Sequence, residues 1–135
     1  MARIMAIDYG SKRVGIAVTD PLQIIVSALD TVSPNELLKY FEIYFQREEV
    51  EKLVVGMPYN HGYEENIIVP QINNFIKVFS AKFPLVKVET YDERFTSKIA
   101  SKIILQSGVN KKARQNKATL DKVSAVILLQ SYLGY

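Results

Sequence analysis

Two rhythms of apolar residues run along this chain. Residues 3 to 8 and 13 to 19 are short, β-branched apolar runs, and each closes on a carboxylate, Asp8 and Asp20. Runs of that length predict strands, and the intervening Tyr9-Gly10-Ser11-Lys12 is spaced for a hairpin turn. Gly10 and Gly15 mark places where the backbone turns sharply or something approaches it closely. Pro21 ends the second run because it cannot donate to a ladder. Residues 23 to 29 then read as a third strand, completing an antiparallel meander.

The period changes at Ser33-Pro34-Asn35-Glu36, which has the form of a helix start: serine at the cap, proline at the first helical position and glutamate at the third. Leu37, Leu38, Phe41, Tyr44 and Phe45 follow at helical spacing, and this aromatic stripe is read as core. Residues 52 to 58 form a buried strand ending in Gly56, Met57 and Pro58. A polar loop over 59 to 65 holds the sole histidine, His61, which is read as solvated. Pro70 is placed in the first turn of the next helix, whose apolar face is Val69, Ile72, Phe75, Ile76 and Phe79. Residues 86 to 91 alternate as a strand that runs directly into Asp92-Glu93-Arg94, and Phe95, Ile99, Ala100, Ile103 and Ile104 place a helix after them. A basic loop over 110 to 118 precedes a final helix over 119 to 133, too apolar to have much of a polar face and so expected to lie against the sheet.

A meander followed by right-handed βαβ crossovers predicts an α/β fold with a mixed five-stranded sheet flanked by helices. Strand 1 then lies centrally beside strand 4. The carboxyl ends of strands 1, 4 and 5 open at one edge, where ligands bind in α/β sheets. That edge collects Asp8, Gly56 and the Asp92-Glu93 pair, and the last helix can add Asp121. Asp20 is carried to the opposite edge by its antiparallel strand.

Length and composition narrow the setting. With 135 residues, 48% of them hydrophobic, the expectation is a single domain over 1–135. The absence of cysteine removes disulfides and thiolate metal sites and suits a reducing compartment. No apolar run approaches the ~18 residues of a membrane span, so a soluble cytoplasmic protein without a membrane partner is expected. The net charge of +3 permits an anionic partner, and its distribution is more telling: Lys111, Lys112, Arg114 and Lys117 share one segment.

Carboxylates that converge repel one another unless a cation lies between them. Oxygen donors without cysteine or paired histidine suit Mg2+ or Mn2+. Beside a basic loop, such a centre suits phosphodiester hydrolysis, with Asp8 as the shared ligand and Glu93 and Asp121 completing the set. Lys12, Arg13 and Arg94 are candidates to hold phosphate, and Lys111, Lys112, Arg114 and Lys117 to follow a nucleic-acid backbone. Plainer roles stay open: acids at a helix start complement its dipole, Asp121 can serve as an N-cap, and a charged loop can be merely solvated.

Four blocks together carry a resemblance: Asp-Tyr-Gly-Ser-Lys-Arg-Val-Gly-Ile-Ala-Val-Thr-Asp at 8 to 20, Val-Val-Gly-Met-Pro at 54 to 58, Asp-Glu-Arg-Phe-Thr-Ser at 92 to 97, and Asp-Lys-Val-Ser-Ala-Val-Ile-Leu-Leu-Gln-Ser-Tyr-Leu at 121 to 133. In this order, over essentially the whole chain, they resemble the YqgF/RuvX family, bacterial RNase H-like proteins described as Holliday junction resolvases and as pre-16S rRNA processing nucleases. The resemblance implies an RNase H-like fold, metal-dependent nuclease activity in the cytoplasm and a part in maturing the 5′ end of 16S rRNA. It places the family's acidic residues on Asp8, Glu93 and Asp121. The segment 59 to 64 is one residue shorter than the family's loop, and Ser124 replaces a small apolar residue.

The alternatives are a resolvase of four-way DNA, a non-catalytic RNA-binding factor of ribosome assembly, and an ATP-binding domain of the actin and sugar-kinase type. The last needs two related domains and a second Asp-x-Gly hairpin, for which the chain has no room. A monomer and a homodimer both fit.

Overall fold

The computed structural model describes residues 2–58, 63–93 and 117–134, and of 63–66 and 117–122 the backbone alone. Strands β1 (Arg3–Tyr9), β2 (Val14–Thr19) and β3 (Val26–Val32) form the meander. Helix α1 (Leu37–Arg47), strand β4 (Val50–Met57), helix α2 (Tyr63–Lys82), strand β5 (Lys87–Asp92) and helix α3 (Lys117–Leu133) follow. The sheet order is β3-β2-β1-β4-β5. β1 pairs antiparallel with β2 and parallel with β4, so it is central, as the apolar pattern predicts.

Because side chains alternate across a strand, β1 feeds two cores. Met5 and Ile7 join Leu53, Val55 and Met57 of β4 beneath α1 and α2, where Leu37, Phe41, Ile72, Phe75 and Phe79 are buried. Edge-to-face and tilted ring contacts tie Phe79 to Phe41, Phe45, Phe75 and Phe83 at 4.9–6.1 Å, so the aromatic stripe is indeed core. On the other face Ile4 and Ala6, with Ala17 and Val54, meet Ala125, Leu128 and Leu129 of α3. The small residues Ala6 and Ala17 allow that apolar helix to lie close to the sheet.

Three expectations are corrected. The third strand is Val26–Val32, not 23 to 29, because Ile24 and Ile25 give their N–H groups to the Asp20 carboxylate at 2.7 Å instead of to a ladder. Ser33 makes no side-chain cap; Pro34–Glu36 is a 3-10 turn that leads into α1, so no capping box forms. Pro70 lies inside α2 rather than in its first turn, since the helix starts at Tyr63 and takes in the last three residues of what reads as polar loop. The remainder of that loop, with His61, and the helix expected after Arg94 fall outside the described residues.

Candidate active site

The alternation that builds the two cores also selects the acids. Asp8 follows Ile4 and Ala6 on the α3 face of β1, one position before the strand ends. Its partner on β2 is Gly15. Its neighbour on β4, one step past the Ile7–Val55 pair, is Gly56. The central carboxylate is therefore flanked on both sides by residues without side chains.

Strand β5 repeats the logic. Tyr91 hydrogen-bonds Ser131 of α3 at 2.7 Å and Glu89 accepts from the Tyr132 hydroxyl, so the odd-numbered positions face α3. Two residues beyond Tyr91, and just past the strand's end at Asp92, stands Glu93. Of the Asp92-Glu93 pair, period two thus assigns Glu93 to the face of Asp8, and Asp92 to the opposite one.

Glu93 reaches Asp8 by crossing Gly56. A Cβ on Gly56 would lie 2.5 Å from Glu93 Oε1, 3.0 Å from its Cγ and 3.1 Å from its Cδ. The side chain therefore occupies the space that any other residue would fill. It hydrogen-bonds Asp8, and its carboxyl is pushed up to about 10, first by burial, then by the Asp8 charge and that hydrogen bond, and last by the Asp92 charge. Two carboxyl groups so placed hold a proton between them in the absence of a cation. Among the described residues no group of three acids and histidines is clustered for a metal. The chain offers a pair of oxygen donors at this point, which fits a hard divalent ion such as Mg2+ or Mn2+.

Asp121 belongs to α3, one helical turn before Ala125, which is buried against the sheet. The Asp121 side chain lies outside what is described.

Lys12 and Arg13 occupy the β1–β2 turn at the same edge as Asp8, Lys12 exposed and Arg13 partly buried. The turn closes through the Gly10 N–H, which donates to the Arg13 carbonyl at 2.9 Å. A Cβ on Gly10 would come within 2.6 Å of that oxygen, so the tight turn requires glycine there. Arg94, Lys111, Lys112 and Arg114 fall outside the described residues. Asp20 is at the far edge, as expected, where its carboxylate caps the β2–β3 loop and backbone N–H bonds hold it below the usual range. Gly15 is a contributor beside Asp8 that sequence reasoning did not identify, and Gly56, expected at this edge, proves to be the space that Glu93 fills. The available signal is a glycine near the end of an apolar strand in register with the central acid.

A five-stranded sheet in this order, with a carboxylate pair at the carboxyl edge of its central strand, is an RNase H-like α/β fold. The structure of "T. thermophilus RuvC in complex with Holliday junction substrate" shares it with a TM-score of 0.58, over 99% of this chain and 97% of that one at 16% identity. The structure of a Fowlpox virus resolvase with Holliday junction DNA matches at 0.57 and 15% identity, over 97% of this chain and 96% of that one. Residues 2–135 match the family described as "RuvX: Holliday junction resolvase", and the chain belongs to that family. A relative from Amoebophilus asiaticus is 48% identical over 99% of this chain and 95% of its own length, and carries the name "Putative pre-16S rRNA nuclease". One from Porphyromonas gingivalis, with the same name, is also 48% identical, over 98% of this chain and 96% of itself. No helix among the described residues is long and apolar enough to cross a membrane.

Proposed function

We propose that this chain is a metal-dependent endonuclease that hydrolyses phosphodiester bonds in the 5′-end maturation of pre-16S rRNA, in the cytoplasm. The observation that carries this is the Asp8–Glu93 contact across Gly56. A purely structural role for two acids would not place them in contact in a partly buried position, where their charges oppose each other.

Asp8, Glu93 and Asp121 would hold Mg2+ or Mn2+. When bound, such an ion lowers the pKa of a water and steadies the developing charge on the leaving oxygen. Asp8 lies within the central strand, one position before its end, so it is held by pairing on β2. Gly15 puts no side chain beside it on β2, and Gly56 on β4 gives the space that Glu93 occupies. Lys12, on the turn just past Asp8, is exposed to solvent and within reach of a phosphate entering over this edge, and Arg13 adds a fork-shaped donor beside it. Arg94, Lys111, Lys112 and Arg114 supply further phosphate contacts, which position a strand without reading its sequence.

The choice of pre-16S rRNA rests on the names of relatives that are nearly half identical along 95% and 96% of their lengths. The family description and the resolvase-like fold favour a second substrate, a four-way DNA junction, which a homodimer would cut on two strands. The deciding experiment incubates both substrates side by side with Mg2+ or Mn2+, using Asp8→Asn as control. Cleavage of the precursor RNA at its 5′ end, absent in the variant, supports the rRNA assignment. Cleavage of the junction alone transfers it to DNA, and RNA binding without cleavage by either protein leaves a binding factor.

A further inference from the structure

The β2–β3 connection is an apolar surface that the nuclease chemistry does not use. Leu22, Ile24 and Ile25 are 59, 58 and 64% exposed, three large aliphatic side chains within four residues. An isolated exposed apolar residue is ordinary, whereas a cluster of them marks a contact surface.

This loop is held in one shape. The Asp20 carboxylate accepts the N–H groups of Ile24 and Ile25 at 2.7 Å each. The Gln23 N–H donates to the Asp20 carbonyl at 2.9 Å, and the Asp20 N–H to that of Ile25 at 3.1 Å. Gln23 takes a left-handed φ of 61°. Its side-chain amide then reaches the Ala2 carbonyl at 2.9 Å and the Glu51 carboxylate. A loop fixed in advance loses little entropy on binding.

Its surroundings are acidic. Asp20 anchors it, Glu51 touches it, and Glu48 and Glu49 lie where Arg3 joins β4; the Arg3 guanidinium is itself tied to Glu48 at 3.1 Å and to the Thr19 carbonyl. The whole chain, by contrast, carries +3. An acidic flank repels phosphate, so the surface does not suit nucleic acid. It also disfavours a second copy, whose equivalent acids would face these across a twofold axis. The loop lies at the opposite edge of the sheet from Asp8, about 16 Å away along β1 for five residues of strand.

We propose that residues 20–25, with Glu49 and Glu51, form a docking surface for a protein whose contacting segment is basic and apolar. The partner seats aliphatic side chains on Leu22, Ile24 and Ile25 while its lysines and arginines meet the acids. The carboxyl edge of the sheet stays open to substrate.

The test is a titration of the 15N-labelled full chain with a synthetic Lys/Leu amphipathic peptide, with Glu/Leu and Lys/Ser peptides of the same pattern as controls. The Lys/Leu peptide is expected to shift amides 20–26 and 49–51, and neither control is expected to do so. Ile24→Ser with Ile25→Ser should weaken that binding at least about tenfold while melting temperature and cleavage rate stay unchanged. Equal binding of either control at the loop, or Lys/Leu shifts confined elsewhere, would overturn the proposal. So would self-association of the wild type in sedimentation that the double variant abolishes, since the surface would then belong to a second copy.

Discussion

Replacing Gly56 by alanine separates the active site from the fold more cleanly than replacing an acid. The added Cβ would stand 2.5 Å from Glu93 Oε1 and 3.0–3.1 Å from its Cγ and Cδ, so three atoms of one side chain must yield. Restoring ordinary contact requires a displacement of about 1 Å, reached by turning Glu93 off its present rotamer at a cost of about 0.5–1.5 kcal/mol. Against this, alanine is favoured over glycine within a strand by about 0.5–1 kcal/mol. The two nearly cancel, and the melting temperature should change by no more than a few degrees. Function does not enjoy that cancellation, because a misplacement of about 1 Å at a reacting centre costs on the order of 100-fold in rate. The checks are thermal melting, Mn2+ affinity by calorimetry and single-turnover cleavage. The expected result is a folded protein with cleavage reduced about 100-fold and weaker Mn2+ binding. Wild-type cleavage in the folded variant, or a loss explained by unfolding, would refute the assignment of Gly56 as the space through which Glu93 acts.

Three further outcomes follow from the same structure. The Glu93 carboxyl, raised from 4.5 in the unfolded chain to about 10, binds more protons folded than unfolded between those values. Stability of the metal-free protein should therefore fall as pH rises through that window, by at most about 1.4 kcal/mol per unit; melting curves in EDTA should show a shallower pH slope for Glu93→Gln, and equal slopes would contradict it. Lys12→Ala with Arg13→Ala should weaken nucleic-acid binding and lower the salt slope by about 1 for each phosphate contact removed, measured by filter binding over a salt series. Phe79→Ala, which empties a fully buried position ringed by Phe41, Phe45, Phe75 and Phe83, should cost about 3–5 kcal/mol in urea unfolding.

What was legible in the residues depended on period. The strict apolar run of β1 located Asp8 at its end and placed β1 centrally, and helical spacing identified Leu37, Phe41 and Phe79 as core. Alternation on β5 became informative only with the α3 contacts of Glu89 and Tyr91, which put Glu93 rather than Asp92 on the face of Asp8. Local chemistry misled where an apolar pattern had a second use. Ile24 and Ile25 look like strand residues, yet their backbone N–H groups are claimed by Asp20 and their side chains face solvent. Pro70 looks like a helix start, but α2 begins seven residues earlier at Tyr63, where Glu64, Glu65 and Asn66 read as loop although Ile68 behind them is buried in the core. The partnership of Gly56 with Glu93 could not be read locally, since it joins a position on β4 to one 37 residues later, just past the end of β5.

The central claim is that Asp8 and Glu93 hold a divalent cation rather than a proton in the working enzyme. Anomalous diffraction from crystals soaked in Mn2+ tests it directly. A Mn2+ peak within coordination distance of both carboxylates, with their mutual hydrogen bond broken, is the predicted result. An intact Asp8–Glu93 hydrogen bond with no Mn2+ beside it, in a crystal form that cleaves substrate, would contradict it.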